Sequence, residues 1–147
     1  MIRVGLDTDV LVYAEGVNDA RRKAQARILL SSLDGADVVL PIQAAGELFR
    51  VLVRKAKRAP AEARTAVEGW QDLFESEPTT LEAFADAMAV AAEHQLDIWD
   101  ACIVAVAAEA GCRLLLSEDL AEGFTWRGLT VVNPFAASPH PLLARLL

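Results

Sequence analysis

The strongest constraint on the fold is a recurring unit. A short Val/Leu-rich run, closed by a polar residue or a proline, precedes a longer segment of helical character. The runs are Ile2-Arg3-Val4-Gly5-Leu6, Asp37-Val38-Val39-Leu40, Arg113-Leu114-Leu115-Leu116 and Thr130-Val131-Val132. Such short apolar runs fit strands covered on both faces, as in a parallel sheet between helices. The intervening segments carry helix punctuation. Residues 8–15 read as a first helix. Asp19 caps a helix through Leu33, with Ile28, Leu29 and Leu33 as apolar positions and Arg21, Arg22, Lys23 and Arg27 outside. Gly35 stops it. Pro41 opens a helix to about Arg58, and Pro60 opens another ending near Glu75. Glu77-Pro78-Thr79 leads to a helix from about Leu81 to His94. Asp97 caps a helix from Ile98 to Ala110, ended by Gly111. The expected fold is an α/β sandwich with a mostly parallel central sheet flanked by helices. Residues 1–147 read as one domain with a tail over 133–147, whose Leu142, Leu143, Leu146 and Leu147 dock on the body or on a partner.

Composition narrows the classes. Hydrophobic residues make up 54% of 147 and mean hydropathy is +0.28, which fits a globular chain and not a disordered one. No stretch approaches the roughly 20 apolar residues of a membrane span. The N-terminus meets Asp7 too early for a signal peptide, so a cytoplasmic protein is expected. Cys102, Cys112, His94 and His140 lack zinc-site spacing, and Cys102 reads as a buried apolar cysteine. Trp70, Trp99 and Trp126 read as core or interface residues, with base stacking as the alternative.

Net charge is −7, but it is unevenly spread. Residues 21–64 hold ten of the 14 bases and four acids; residues 66–123 hold 13 acids and one base. A basic half beside an acidic half suits delivery of an anionic polymer to an acidic, cation-charged pocket. The densest basic cluster is Arg50, Arg54, Lys55, Lys57 and Arg58, the expected track for such a polymer.

Four acids occupy telling places. Asp7 ends the first strand, Glu47 lies among Ala44, Ala45, Leu48 and Phe49, Asp100 sits in the first turn of a helix, and Asp119 follows the Leu114–Leu116 strand. Ligands of open α/β sheets bind beyond the carboxyl ends of the strands. Singly, each acid has a structural explanation: Asp7 as a cap, Glu47 paired with Arg50 or Arg54, Asp100 complementing a helix dipole, Asp119 as a turn residue. Converged, they repel: at about 4 Å and an effective dielectric near 20, each pair costs about 4 kcal/mol. Such a cluster shifts its pKa values or holds a cation. Carboxylates without His or Cys suit Mg²⁺, with Mn²⁺ as a substitute. The matching chemistry is phosphodiester hydrolysis.

Leu6-Asp7-Thr8-Asp9, Ala45-Gly46-Glu47-Leu48, Ile98-Trp99-Asp100-Ala101 and Leu116-Ser117-Glu118-Asp119-Leu120 also follow a known order and spacing. Over residues 2 to about 135 the chain resembles the PIN-domain nucleases, above all the toxin ribonucleases of the VapC type. The resemblance implies a PIN-like α/β/α sandwich, an Mg²⁺/Mn²⁺ site made by Asp7, Glu47, Asp100 and Asp119, and endonucleolytic RNA cleavage. It also implies Thr8 and Ser117 as polar supports, a homodimer, and a cognate antitoxin that blocks the site. One position departs from the pattern: Asp9 stands where the family commonly has Asn, adding a fifth carboxylate.

Three other readings compete. Val4–Leu11 also resembles the opening of haloacid-dehalogenase-type phosphatases, with Asp7 as nucleophile. No lysine follows Lys57, however, and Glu47 and Asp100 gain no role. A catalytically silent PIN-like module that binds RNA or a partner is a second alternative, and a housekeeping RNA-processing nuclease a third.

Overall fold

The computed structural model describes residues 2–147. Six strands form one sheet in the order β3-β2-β1-β4-β6-β5. These are β1 (Arg3–Leu6), β2 (Asp37–Pro41), β3 (Glu75–Glu77), β4 (Leu114–Leu116), β5 (Thr125–Trp126) and β6 (Leu129–Val132). All neighbouring pairs are parallel except β5 with β6. The helices are α1 (Thr8–Ala14), α2 (Ala20–Ser32), α3 (Ile42–Arg54), α4 (Pro60–Leu73), α5 (Leu81–His94), α6 (Ile98–Glu109) and α7 (Pro141–Ala144). The α/β sandwich expected from the alternating runs is the observed one.

The central strands are apolar throughout because both their faces are covered. Val4, Leu6, Val39, Leu40, Leu114, Leu115, Leu116, Val131 and Val132 are fully buried. Helix α1 packs on α2 and α3, and α3 on α4; α5 packs on α6, which also touches α3. The right-handed crossover rule for parallel strands directs α1–α4 to one face of the sheet and α5–α6 to the other. A second small apolar cluster, Ala87, Val90, Ala101, Cys102 and Ala105, joins α5 to α6.

Helix punctuation acts largely as read. Asp19 accepts the backbone N–H groups of Arg21 and Arg22, and Asp97 accepts that of Trp99 at 2.8 Å. Gly35 and Gly111 adopt φ of +84° and +83° after α2 and α6, a conformation that L side chains resist.

Several expectations need correction. The third helix ends at Arg54, not Arg58; Lys57 takes a left-handed φ of +58° in the following turn. Ile28 points outward at 68% exposure, and the buried face of α2 is Ala26, Leu29 and Leu30. Residues Glu75–Glu77 form an edge strand that composition hides, since its side chains are Glu, Ser and Glu and its order comes from pairing with β2. The two-residue β5 was also unread. The tail docks on the body: Leu143 is buried, and Leu142 and Leu146 pack on the core.

Gly5 sets how closely helix and sheet approach. A Cβ there would lie 3.2 Å from the Ala107 Cβ on α6 and 3.3 Å from Leu115 Cδ1. Valine at this position must push α6, which carries Asp100, off the sheet. Gly5→Val should lower unfolding stability by about 1–3 kcal/mol through overpacking. Denaturant titration measures this, and unchanged stability would show that helix and sheet have slack here.

Candidate active site

The strand register assembles the site. Leu6 pairs with Leu116 between β1 and β4, so the next residues, Asp7 and Ser117, leave the sheet side by side. The Asp7 backbone N–H continues the ladder to the Leu116 carbonyl at 3.0 Å. Asp7 also caps α1: its Oδ1 accepts the Thr8 N–H at 2.7 Å, and its Oδ2 accepts the Ser117 hydroxyl at 2.7 Å. It is 4% exposed, and Ser117 is fully buried. The cap and site readings of Asp7 are therefore compatible.

Glu47 reaches the same place from α3. Its Oε2 accepts the Thr8 hydroxyl at 2.7 Å, and its Oε1 accepts Gln43 Nε2 at 3.3 Å. Among the described residues it makes no ion pair, so the alternative of a helical partner in Arg50 or Arg54 does not hold. Asp100 lies in the first turn of α6. Asp119 follows β4. Asp7, Glu47, Asp100 and Asp119 line one open cavity of about 530 Å³, together with Thr8 and Asp9.

The four acids surround this space rather than pack against one another. Among the described residues, no three carboxylate, imidazole or thiol side chains stand together as a closed ligand set. The direct clash expected at about 4 Å is thereby relaxed, yet electrostatic stress remains. Burial lifts the Asp7 carboxyl to about 6 against the hydrogen bonds from Ser117 and Thr8, with the charges of Asp100 and Glu47 adding to the rise. Burial likewise lifts Asp100 to about 6, aided by the charges of Asp97, Glu47 and Asp119.

Asp9 is the most stressed. Burial and the Asp7 charge raise its carboxyl to about 8, despite backbone hydrogen bonds that favour the ionised form. Its Oδ2 accepts the N–H groups of Glu118 at 2.8 Å and Asp119 at 2.9 Å. Its Oδ1 is buried without a partner. A buried unpaired carboxylate oxygen beside other acids is a position where a cation lowers the energy. In donor type the residues fit a hard divalent ion: oxygen ligands only, several of them anionic.

The basic cluster divides. Arg50, Arg54 and Lys55 line the acidic cavity. Arg58 does not: its guanidinium binds Glu15 Oε1 at 2.6 Å and the Glu15 carbonyl at 2.9 Å. Lys57 is exposed on the intervening turn, outside the cavity wall. Sequence reasoning missed Tyr13 and Asn18, which also line the cavity. Asn18 has a φ of +76°, a conformation in which Asn is enriched, but nothing local says that its loop meets α3. Of the tryptophans, Trp70 is buried with its indole N–H on Glu15 at 2.8 Å, and Trp126 carries Arg127 over its ring; Trp99, beside Asp100, is 51% exposed.

Comparisons with known proteins agree with this architecture. The family model described as PIN domain matches residues 4–121, a span that contains all four acids. No curated protein matches the sequence. VapC20 of Mycobacterium tuberculosis, described as a sarcin–ricin loop cleaving toxin, superposes with a TM-score of 0.66 at 20% identity, over 79% of this chain and 89% of that one. DNA-bound VapBC from Salmonella typhimurium gives 0.65 at 17% identity, over 89% and 97%. A toxin–antitoxin complex from Klebsiella pneumoniae gives 0.64 at 19% identity, over 90% and 98%. At these identities the structures speak for a shared fold. Together with the family match, which takes in β1 through the loop after β4, they settle the assignment: this chain belongs to the PIN domain family.

Proposed function

We propose that this chain is an Mg²⁺- or Mn²⁺-dependent endoribonuclease and the toxin of a toxin–antitoxin pair. The observation that carries the reading is the cavity itself, five carboxylates (Asp7, Asp9, Glu47, Asp100 and Asp119) lining one space with three cationic side chains on its wall. Asp7, Glu47, Asp100 and Asp119 would hold the metal. A divalent ion there supplies Lewis-acid polarisation of a phosphate and an acidified water. The chain's own residues do the rest. Ser117 and the Thr8 N–H fix both oxygens of Asp7, and the Thr8 hydroxyl fixes Glu47, so these acids are aimed before any ligand arrives. Arg50, Arg54 and Lys55 attract the phosphate backbone and orient it across the acids.

The toxin assignment draws on the solved structures of similar fold that are described as toxins or toxin complexes. The complexes among the similar structures support an antitoxin partner; RNA as substrate, an antitoxin that covers the cavity and a second copy of the chain are carried over from the family that the sequence resembles. Expression of the chain alone should arrest bacterial growth, and Asp100→Asn should not. Normal growth with active protein would favour a housekeeping role.

Cleavage of RNA should require Mg²⁺ or Mn²⁺ and stop in EDTA. Asp7→Asn, Asp100→Asn and Asp119→Asn should each abolish it while the folded far-UV signal persists. Cleavage that survives EDTA would overturn the metal mechanism.

Replacing Arg50, Arg54 and Lys55 together by Ala should weaken RNA binding and reduce its logarithmic salt slope by about 2, at roughly 0.7 per single-strand phosphate contact. Arg58→Ala should leave that slope alone and lower stability, because Arg58 is committed to Glu15. A slope unchanged by the triple substitution would move the RNA track elsewhere.

The acids also dictate a pH dependence. A carboxyl whose folded pKa lies above its unfolded value binds its proton more tightly in the native state. Its penalty is absent below the ordinary carboxylate range and grows as pH rises through the folded value. Asp7, Asp100 and Asp9, raised to about 6, 6 and 8, should therefore make the metal-free protein lose stability from about pH 4 to pH 8. Asp9→Asn keeps an oxygen for the Glu118 and Asp119 N–H groups and removes the charge. It should stay active, raise the metal-free melting temperature at pH 8, and shrink the further gain on adding Mn²⁺. Thermal melts at pH 5 and 8, with and without Mn²⁺, check this. An inactive Asp9→Asn protein of normal stability would make Asp9 a ligand.

A further inference from the structure

The loop that carries Asp119 is held from two sides. From within the acid cluster, Asp9 takes the two backbone N–H groups of Glu118 and Asp119. From outside it, the Glu118 side chain is gripped at both oxygens. Oε1 accepts the Tyr13 hydroxyl at 2.6 Å, and Oε2 meets Arg22 Nη2 at 2.8 Å. Arg22 in turn lies over the Phe135 ring, 5.1 Å from its centroid, and the same ring meets Tyr13 edge-on at 5.4 Å. Phe135 is buried, with its backbone N–H fixed by Asn133 Oδ1 at 2.9 Å. Two distant parts of the chain meet here: the consecutive helices α1 and α2, and the loop after β4 with the stretch after β6.

We infer that Glu118 is a positioning residue whose Tyr13–Arg22 clasp, seated on Phe135, turns Asp119 into the cavity. What Asp119 does there rests on the nuclease reading above. The division of labour between the neighbours is visible: Asp119 lines the cavity and Glu118 does not. Chemistry explains why a clasp is needed. A free Glu118 would be a sixth carboxylate at the rim of a space that already faces five, and repulsion would drive the whole loop outward. Charge-assisted hydrogen bonds to a half-buried carboxylate are short and strong, and they polarise one another. Phe135 limits the rotamers of Arg22, so the clasp closes with less entropy to lose. With both oxygens engaged, Glu118 is not available as a ligand.

Amide hydrogen exchange at Asp119, Mn²⁺ affinity from thermal shifts, and steady-state cleavage together test this on Glu118→Ala, Arg22→Ala, the double variant and Glu118→Gln. In each Ala variant the Asp119 amide should exchange faster. Mn²⁺ affinity and kcat should each fall about tenfold, with KM little changed, as for other partners that orient metal ligands. The double variant should be no worse than either single one, because both remove the same clasp. Glu118→Gln keeps an acceptor for Tyr13 and should fall between. Wild-type exchange at Asp119 with unchanged Mn²⁺ affinity in Glu118→Ala would overturn the inference. So would additive losses, or a fall in melting temperature alone. A wild-type chain that neither binds Mn²⁺ nor cuts RNA would instead overturn the nuclease reading. In that event faster Asp119 exchange in Glu118→Ala still upholds the clasp, and unaltered exchange overturns it.

Discussion

The site depends on one lateral pairing, Leu6 of β1 against Leu116 of β4. Both faces of these strands are covered, so the register rests on fit and not on a choice of face: a slip would bring Val4 or Leu6 to the place where Gly5 leaves a Cβ only 3.2 Å from Ala107 and 3.3 Å from Leu115. That fit and the backbone ladder hold the register, and the register sets Asp7 beside Ser117. The Ser117 hydroxyl then meets a carboxylate it can satisfy, in a place where water is excluded. Backbone pairing and close packing thus determine the position of the charges, although no apolar contact favours the charges themselves.

The charges are costly, and the structure distributes the cost. Asp7 has hydrogen bonds on both oxygens, and Glu47 has partners on both of its own. Asp9 is satisfied on one oxygen only. Local consistency fails at this point, as it commonly does at functional sites. An Asn at this position would retain the hydrogen bonds without the charge, so the stress lies in one side chain and not in the backbone around it.

Much of this was legible in the residues. Apolar runs such as Leu114–Leu116 identify covered strands, because only a two-faced core tolerates them. Asp19, Asp97, Gly35 and Gly111 mark helix ends through local geometry, which sequence carries directly. The four acids were legible through their places after strands and in helix turns. What escaped was set by tertiary contact. The edge strand Glu75–Glu77 has no apolar signature, since β2 supplies its order. Arg58 looked like one more cation in a cluster of five, and only the approach of Glu15 from α1's end withdraws it. Glu118 carries no local sign of its role, because Tyr13 and Arg22 lie about a hundred positions away.

The same separation has a consequence for biosynthesis. Strand β1 emerges first from the ribosome, yet one of its sheet neighbours, β4, begins at Leu114. Until that strand is out, Asp7 has no Ser117 and the cavity lacks a wall. Long-range parallel pairing is slow in any case, since loop closure must precede its reward. A nascent chain therefore keeps its acids dispersed while everything between Asp7 and Asp119 is made. The pocket that would handle RNA closes only after its last acid, Asp119, has been added and folded in.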